Sequence, residues 1–446
     1  MTFEEQYSAE ISALFQRFPS VQNASFGEAY KPGLDRMLAF DALLGSPHRS
    51  FRSIHIAGTN GKGSVANMLA SALSASGFRV GLYSSPHLLD FRERMRVTED
   101  GGASVRLVPK EYVLDFIMDR KPDFERLDLS FFEITTGMAL KWFEEEKVDF
   151  AVIEAGLGGR LDSTNIITPE LSVVTTIGLD HCDLLGHGLG QIAAEKAGIF
   201  KSGVPALVGE VLPETLPVFI AKAAEIGADL YIAENEYPEL WDRHEEMLLR
   251  MDLQGAGQDK NLRTALTALE ILGIRNPAIP DALEHTAARM GFHGRWERLS
   301  TRPDVICDMG HNAQALKGNF ARLEQLVAAG EYDSLIIVYG IMADKDFDAV
   351  MPLMPPDATY IFTTPRTRRA RPARDILDRY SAYCREQGRS TGRLYACDSV
   401  REAVGRAVRL AAETGTSEAR PLIFIGGSIF VLTEAVPCFS ASRQGK

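Results

Sequence analysis

The sequence predicts an α/β fold, doubly wound around mostly parallel sheets. Short runs rich in β-branched residues alternate with longer stretches of helical periodicity, the order expected of strand–helix–strand units. Most of the short runs are apolar throughout, as strands covered by helices on both faces must be. One of them, Ser53-Ile54-His55-Ile56-Ala57, runs directly into a glycine-rich loop that a helix follows.

Taken in chain order, strands are expected at 53–57, 80–83, 150–154, 171–177, 205–208, 305–308, 334–338, 359–362 and 422–425. Helices are expected at 133–146, 189–197, 261–272 and 313–329. A boundary falls at 290–297, where Gly291 and Gly294 precede Arg295-Trp296 and a new run of strands begins. The expectation is a P-loop-type, doubly wound N-terminal domain, residues 1–293, and a smaller Rossmann-like α/β domain, residues 294–446, with the ligand in the cleft between. In such sheets the loops at the carboxyl ends of the strands gather the ligand.

At 446 residues, 45% hydrophobic and 24% charged, the chain can bury one large core and one smaller one. Its net charge of -12 argues against a nucleic-acid partner, because no global positive field gathers phosphate backbone. Small anionic substrates need only a local cluster of Arg and Lys. The five cysteines are odd in number and form no C-x-x-C pair, so free thiols in a reducing compartment are expected. An acidic N-terminus lacks the basic region of an export signal, and the apolar stretch 422–432 is too short to span a bilayer. A cytoplasmic monomer is the expectation.

The loop Gly58-Thr59-Asn60-Gly61-Lys62-Gly63-Ser64 carries the strongest chemical signal. Beyond it Val65, Met68, Leu69, Ala72 and Leu73 recur at i, i+3, i+4, i+7 and i+8, the stripe of a core-facing helix. Glycines let backbone amides turn around phosphate oxygens, and the helix N-terminus adds partial positive charge. Lys62 can reach the outer phosphates, and the Ser64 hydroxyl can stand near a metal. The common pattern G-x-x-x-x-G-K-[ST] is not met: Ile56 stands at its first glycine, and Gly63 separates lysine from serine.

Other polar residues end strands on the same edge. Glu154 closes 150–154 and suits Mg²⁺ beside a phosphate loop, or a helix cap. His181, in Gly178-Leu179-Asp180-His181, is a second metal ligand or an ordinary loop histidine. Lys196, near the end of a helix, reads as a cation balancing the helix dipole. Asp308-Met309-Gly310-His311-Asn312 follows a strand and precedes a helix, a cluster that capping alone explains poorly. Arg366, Arg368, Arg369 and Arg371 lie within six positions and are a solvated loop or an anion site.

In combination these clusters resemble the folylpolyglutamate synthase/dihydrofolate synthase branch of the Mur ligase family. The resemblance also rests on Gly33-Leu34-Asp35-Arg36, Tyr83-Ser84-Ser85-Pro86-His87-Leu88, Ser130-Phe131-Phe132-Glu133, Glu154-Ala155-Gly156-Leu157-Gly158-Gly159-Arg160-Leu161-Asp162, Glu195-Lys196-Ala197-Gly198-Ile199 and Gly427-Ser428. The unusual phosphate loop is that family's own form. The resemblance implies an ATP-dependent amide ligase, in which ATP phosphorylates a carboxylate and the amine of L-glutamate attacks the acyl phosphate. It implies two Mg²⁺ ions, with Ser85, Glu154 and His181 as ligands, and a Lys196 carbamylated by CO₂ that supports the second. Gly58 to Ser64 with Gln258, Asn261, Arg295 and Asp308 would contact nucleotide; Lys62, Lys196 and His311 would serve catalysis. Phe132 and His87 would face the folate, and His311 and Ser428 the incoming glutamate. Where the family often carries a histidine before Gln258, this chain has Gly257. Implied substrates are dihydropteroate, reduced folates and L-glutamate. A P-loop regulatory switch gives no role to the Asp308 cluster. A cell-wall Mur ligase shares the nucleotide chemistry but not the segments 83–88 and 130–133, and a monofunctional folylpolyglutamate synthase is the nearer alternative.

Overall fold

A computed structural model describes residues 1–18, 31–237, 244–414 and 420–440. The chain divides into two compact units, Met1–Asp252 with Gly257–Phe292, and Leu253–Ala256 with His293–Lys446. The short segment Leu253–Ala256 thus keeps company with the second unit although it precedes the main crossover.

The first unit is built on an eight-stranded sheet. Its strands are β1 (Arg52–Ala57), β2 (Val80–Tyr83), β3 (Met95–Glu99), β4 (Ser104–Leu107), β5 (Phe150–Glu154), β6 (Leu171–Val174), β7 (Ala206–Val208) and β8 (Leu230–Ile232). They lie in the order β4-β3-β2-β5-β1-β6-β7-β8, with β2 through β8 pairing in parallel and β3 and β4 antiparallel. β1 lies between β5 and β6, so the chain reverses its direction of travel across the sheet there. That crevice is where such sheets bind ligands. Helix Lys62–Ala75 is buried from Gly63 to Ser74, and the packing of both of its faces explains why that stretch carries no charge and mostly small or apolar side chains.

Several boundaries differ from the sequence expectation for physical reasons. β6 stops at Val174, because Thr175 and Thr176 turn their hydroxyls onto the carbonyl of Asn60. β3 and β4 carry Arg96, Thr98, Glu99, Ser104 and Arg106, so no apolar run announced them. Inside β1, His55 is fully buried with Nε2 2.8 Å from Thr164 Oγ1, while its Nδ1 has no hydrogen-bond partner. Burial, aided by the charge of Lys201, pushes that imidazole down to about 3.

The second unit holds a six-stranded sheet of β9 (Glu297–Thr301), β10 (Asp304–Cys307), β11 (Ser334–Tyr339), β12 (Thr359–Thr363), β13 (Leu394–Cys397) and β14 (Pro421–Gly426). The order is β13-β12-β11-β14-β10-β9, parallel except for the edge strand β9. Helices such as Ala313–Ala328 and Ala373–Glu386 pack their apolar stripes onto it around Phe320, Tyr360 and Tyr380. Among the described residues no helix is long and apolar enough to cross a membrane.

Gly81 in β2 leaves room for a large neighbour: a methyl group there would lie 2.8 Å from the ring of Phe143. Gly81→Ala should therefore destabilise the first unit by about 1–3 kcal/mol through overpacking. Urea unfolding followed by near-ultraviolet circular dichroism checks this; an unchanged midpoint contradicts it.

Candidate active site

The loop leaving β1 is held by its neighbours before any ligand is considered. The Thr59 amide donates to the Thr176 carbonyl at 2.7 Å, and the Asn60 amide to Thr176 Oγ1 at 3.3 Å. Thr175 Oγ1 returns a bond to the Asn60 carbonyl at 2.6 Å. The Thr59 hydroxyl both donates to the Gly178 carbonyl, at 3.1 Å, and accepts from its amide, at 3.0 Å. The phosphate loop and the segment leading to His181 are therefore one hydrogen-bonded body. Gly58 has φ +153°, and a Cβ there would stand 1.9 Å from Thr175 Oγ1, which leaves glycine as the residue that fits.

Two lysines converge on a single acceptor. Lys62 Nζ donates to the Gly58 carbonyl at 3.0 Å and to that of Thr59 at 3.3 Å, and Lys196 Nζ donates to the same Gly58 carbonyl at 2.8 Å. The sequence alone made Lys196 a cation balancing the dipole at a helix end. The structure buries it, because Gly159 and Gly198 let the loop after β5 press against the end of helix Leu189–Ala197. A Cβ at Gly159 would lie 2.9 Å from the carbonyls of Glu195 and Lys196, and one at Gly198 2.3 Å from Arg160 Cβ. Burial, with the like charge of Lys62 beside it, pushes the Lys196 amine down to about 7. A lysine in that range offers a neutral, nucleophilic amine near physiological pH.

Around this centre, Glu154 Oε2 accepts from the Ser85 amide at 3.2 Å, bringing two of the expected metal ligands together. His181 follows with a left-handed backbone, φ 51°, and its amide bonded to Asp180. Among the described residues no group of three His, Cys, Asp or Glu side chains forms a metal cluster. A buried carboxylate, a serine hydroxyl and an imidazole still suit Mg²⁺, which keeps waters and substrate phosphates and needs few protein ligands. The carboxylate of Asp162, unremarked as a support by sequence reasoning, accepts from the Leu157 amide at 2.8 Å and fixes the turn after Glu154. Helix Gln258–Ile271 starts against the phosphate loop: Gln258 Nε2 lies 3.4 Å from Ser64 Oγ, and Asn261 Nδ2 donates to Gln258 Oε1 at 3.0 Å. Its N-cap is Gly257 at φ 83°, a left-handed backbone that glycine adopts without the steric cost of a side chain.

Phe132 stands in the first turn of helix Phe131–Glu145, which a reciprocal Ser130–Glu133 capping box starts. Arg36 pairs with Glu133 at 3.2 Å, and the Phe132 ring lies 5.8 Å from that of Tyr83. His87 accepts from Arg94 Nε at 2.9 Å and sits edge-on to Phe15 and Phe91. Burial and the Arg94 charge push it down to about 3, so it is neutral. Glu93, which sequence reasoning missed, gathers the amides of Leu88, Leu89 and Asp90 and shapes that loop.

In the second unit the cluster after β10 turns inward. Asp308 Oδ2 accepts from the Trp296 amide at 3.0 Å, and Oδ1 from Gly310, at 2.8 Å, and Asn319, at 2.7 Å. That carboxylate holds Trp296 at φ 46° and so fixes the backbone beside Arg295. Asn312 caps helix Ala313–Ala328, His311 is half-buried with Nδ1 3.2 Å from the Met309 carbonyl, and Ser428 caps helix Ile429–Ala435. The arginine run is partly structural: Arg369 pairs with Asp344 at 2.7 Å, and the Arg366 amide donates to Glu434, while Arg366 and Arg368 side chains are exposed.

Residues 294–427 match the family described as Mur ligase, glutamate ligase domain. The chain is 33% identical over 359 residues to a folylpolyglutamate synthase of Lacticaseibacillus casei, covering 76% of this chain and 82% of that one. It is 33% identical over 372 residues to a dihydrofolate synthase/folylpolyglutamate synthase of Bacillus subtilis, covering 78% and 84%. Among solved structures it is similar to a Mycobacterium tuberculosis folylpolyglutamate synthase complexed with ADP, at TM-score 0.81 and 27% identity, over 98% of this chain and 99% of that one. It is also similar to E. coli FolC in complex with DHPP and ADP, at TM-score 0.78 and 27% identity, over 98% of both. A phosphate loop on one parallel sheet and a Mur ligase domain on the next make the class an ATP-dependent ligase. Within it, the chain belongs to the folylpolyglutamate synthase/dihydrofolate synthase family.

Gly58→Ala should fold yet bind ADP at least about tenfold more weakly, since backbone strain of about 1–3 kcal/mol falls on the loop itself. Titration calorimetry with circular dichroism separates the two effects. Wild-type affinity in the variant would show that the close approach to Thr175 does not shape the nucleotide site.

Proposed function

We propose that this chain joins L-glutamate both to dihydropteroate and to reduced folate monoglutamates through an acyl phosphate. The observation that carries the reading is the buried amine of Lys196, lowered to about 7 and bonded beside Lys62 to the phosphate loop. A carboxylate anion repels an amine and has no leaving group; phosphorylation by ATP supplies an electrophilic carbonyl and a departing phosphate. Lys62 moves from the Gly58 carbonyl to the transferring phosphoryl group, where its charge is worth most.

The amides of Gly58, Thr59, Asn60, Gly61, Gly63 and Ser64 cradle phosphate, and Gln258 and Asn261 serve the nucleotide. Ser85, Glu154 and His181 would hold one Mg²⁺ and a carbamylated Lys196 would support a second; bound there, the ions would neutralise charge on the phosphoryl group. Carbamylation converts a cation into a carboxylate-like donor and requires the neutral amine, which burial supplies. Residues 1–293 carry these functions with the pterin-side residues Phe132 and His87. Residues 294–446 supply Arg295 and Asp308 for the nucleotide, and His311 and Ser428 for glutamate. Asp308 acts there through the Trp296 amide it holds. A cytoplasmic monomer is the working assembly.

Two substrates that differ by one glutamyl unit can present their carboxylates at one point only if the pterin binds at two depths. An aromatic surface such as Phe132 beside Tyr83 permits that, since stacking tolerates shifts that fixed hydrogen bonds do not. An ATP-coupled assay comparing dihydropteroate with tetrahydrofolate, each with L-glutamate, tests the reading. Turnover with both is expected. Turnover with tetrahydrofolate alone leaves a folylpolyglutamate synthase, and turnover with neither refutes it.

The lysine gives a separate expectation. Its pKa is depressed, so the neutral form prevails above pH 7 rather than above the ordinary 10.5. With ¹³C-bicarbonate, a carbamate signal should grow as pH rises through about 7 and be absent in Lys196→Ala. The same signal in both proteins would remove Lys196 from the metal site.

A further inference from the structure

The phosphate loop departs from the common pattern at Gly63, which separates Lys62 from Ser64, and the family resemblance names this departure without explaining it. The structure gives a local reason. A Cβ at Gly63 would lie 3.3 Å from Phe292 Cζ and 3.7 Å from Glu154 Oε2. Phe292 is the last residue of the first unit before the chain passes to the second. A methyl group at position 63 would therefore press on the edge of that ring, inside ordinary van der Waals contact.

The backbone that carries Phe292 is held on both sides. Its amide donates to the Ala287 carbonyl at 3.0 Å, and two residues earlier the Met290 carbonyl accepts from Arg96 Nη1 at 2.6 Å. The other arm of that guanidinium, Nη2, donates to Ser84 Oγ at 3.0 Å, next to Ser85. Arg96 is 3% exposed, its hydrogen-bond partners are neutral, and its Nε is buried without a partner. Burying this cation on neutral hydrogen-bond acceptors is costly and is only partly offset by the nearby carboxylates of Glu93 and Glu154. Beyond those charges, the guanidinium holds two separate segments at once, at Met290 and at Ser84.

We infer that Arg96 and Phe292 are positioning residues: together they fasten the exit segment 290–292 to the phosphate loop through Gly63 and to the metal-side loop through Ser84. The Gly63 and Ser64 amides, the Ser85 backbone and the start of the linker then share one geometry. A displacement of about 1 Å among them is enough to cost two orders of magnitude in rate. The inference rests on the proposed roles of the phosphate and metal-side loops, yet one part of it is readable without turnover.

The test uses the full-length enzyme and a double-mutant cycle on ADP affinity, measured by calorimetry. Gly63→Ala should weaken ADP about tenfold, because its methyl group drives the ring or the loop aside; Phe292→Ala alone should stay within about twofold, and the double variant should recover to within about twofold of wild type. Additive losses overturn the pairing. Ligase kinetics supply the second readout: Phe292→Ala and Arg96→Gln should each lower kcat about tenfold or more with KM for ATP little changed, while Phe292→Leu and Arg96→Lys retain more. Unchanged kcat in both, or a loss that vanishes at lower temperature with restored folding, overturns the positioning role. If Phe292→Ala does not fold, Phe292→Leu carries the same cycle. A wild-type enzyme without turnover would sink the proposed reaction and leave the ADP cycle standing on its own result.

Discussion

The carbonyl of Gly58 is the point on which the site turns. It accepts from Lys62 and Lys196 at once, so two ammonium-bearing side chains from distant parts of the chain meet at one oxygen. Such crowding is tolerable only where one of the amines gives up its proton easily, and the buried one does. Everything nearby serves that meeting: the threonines after β6 fix the loop, and two glycines bring the end of helix Leu189–Ala197 against the turn after β5. The parallel order β5-β1-β6 places the three strand ends side by side.

Much of this was legible in the sequence where local pattern determines structure. The strand before the phosphate loop, the buried helix after it and the carboxylate ending β5 all follow from short-range periodicity and composition. Helix Leu189–Ala197 was readable to the residue, yet the burial of its Lys196 was not. That burial depends on a mating surface 36 residues away in sequence, at Arg160, and no local pattern reports it. β3 and β4 escaped because they are polar. β4 is polar because it is the part-exposed edge of the sheet, where Arg106 pairs with Glu99, whereas the polar Arg96 and Thr98 of β3 are buried on hydrogen bonds to Met290, Ser84 and Val80 from distant parts of the chain.

The second unit shows how a residue in the right place takes an unanticipated role. Asp308 stands at the end of β10, where a ligand contact was expected, but three donors within the unit already occupy its carboxylate. The carboxylate holds Trp296 in a left-handed backbone, over whose ring the Arg322 guanidinium lies at 4.6 Å. The arginine run resolves similarly: one member is committed to an ion pair, another anchors a loop through its amide, and only part of the charge faces solvent. Sequence shows which charges are present; packing decides which of them are spent.

The neutral state of His55 and His87 has a consequence for acid tolerance. Each is pushed down to about 3 from an ordinary value near 6.5, chiefly by burial. Between those limits the unfolded chain takes up protons that the native chain refuses. Stability therefore declines as pH falls below about 6.5, by about 1.4 kcal/mol per pH unit for each imidazole, and the decline ends near their native values. Carboxylates usually set the acid edge of a protein; here two dry histidines bring it closer to neutrality. One lies within β1, the strand that runs into the glycine-rich loop, and the other lies two residues after Ser85, so the acid sensitivity of the whole fold is seated beside the candidate site.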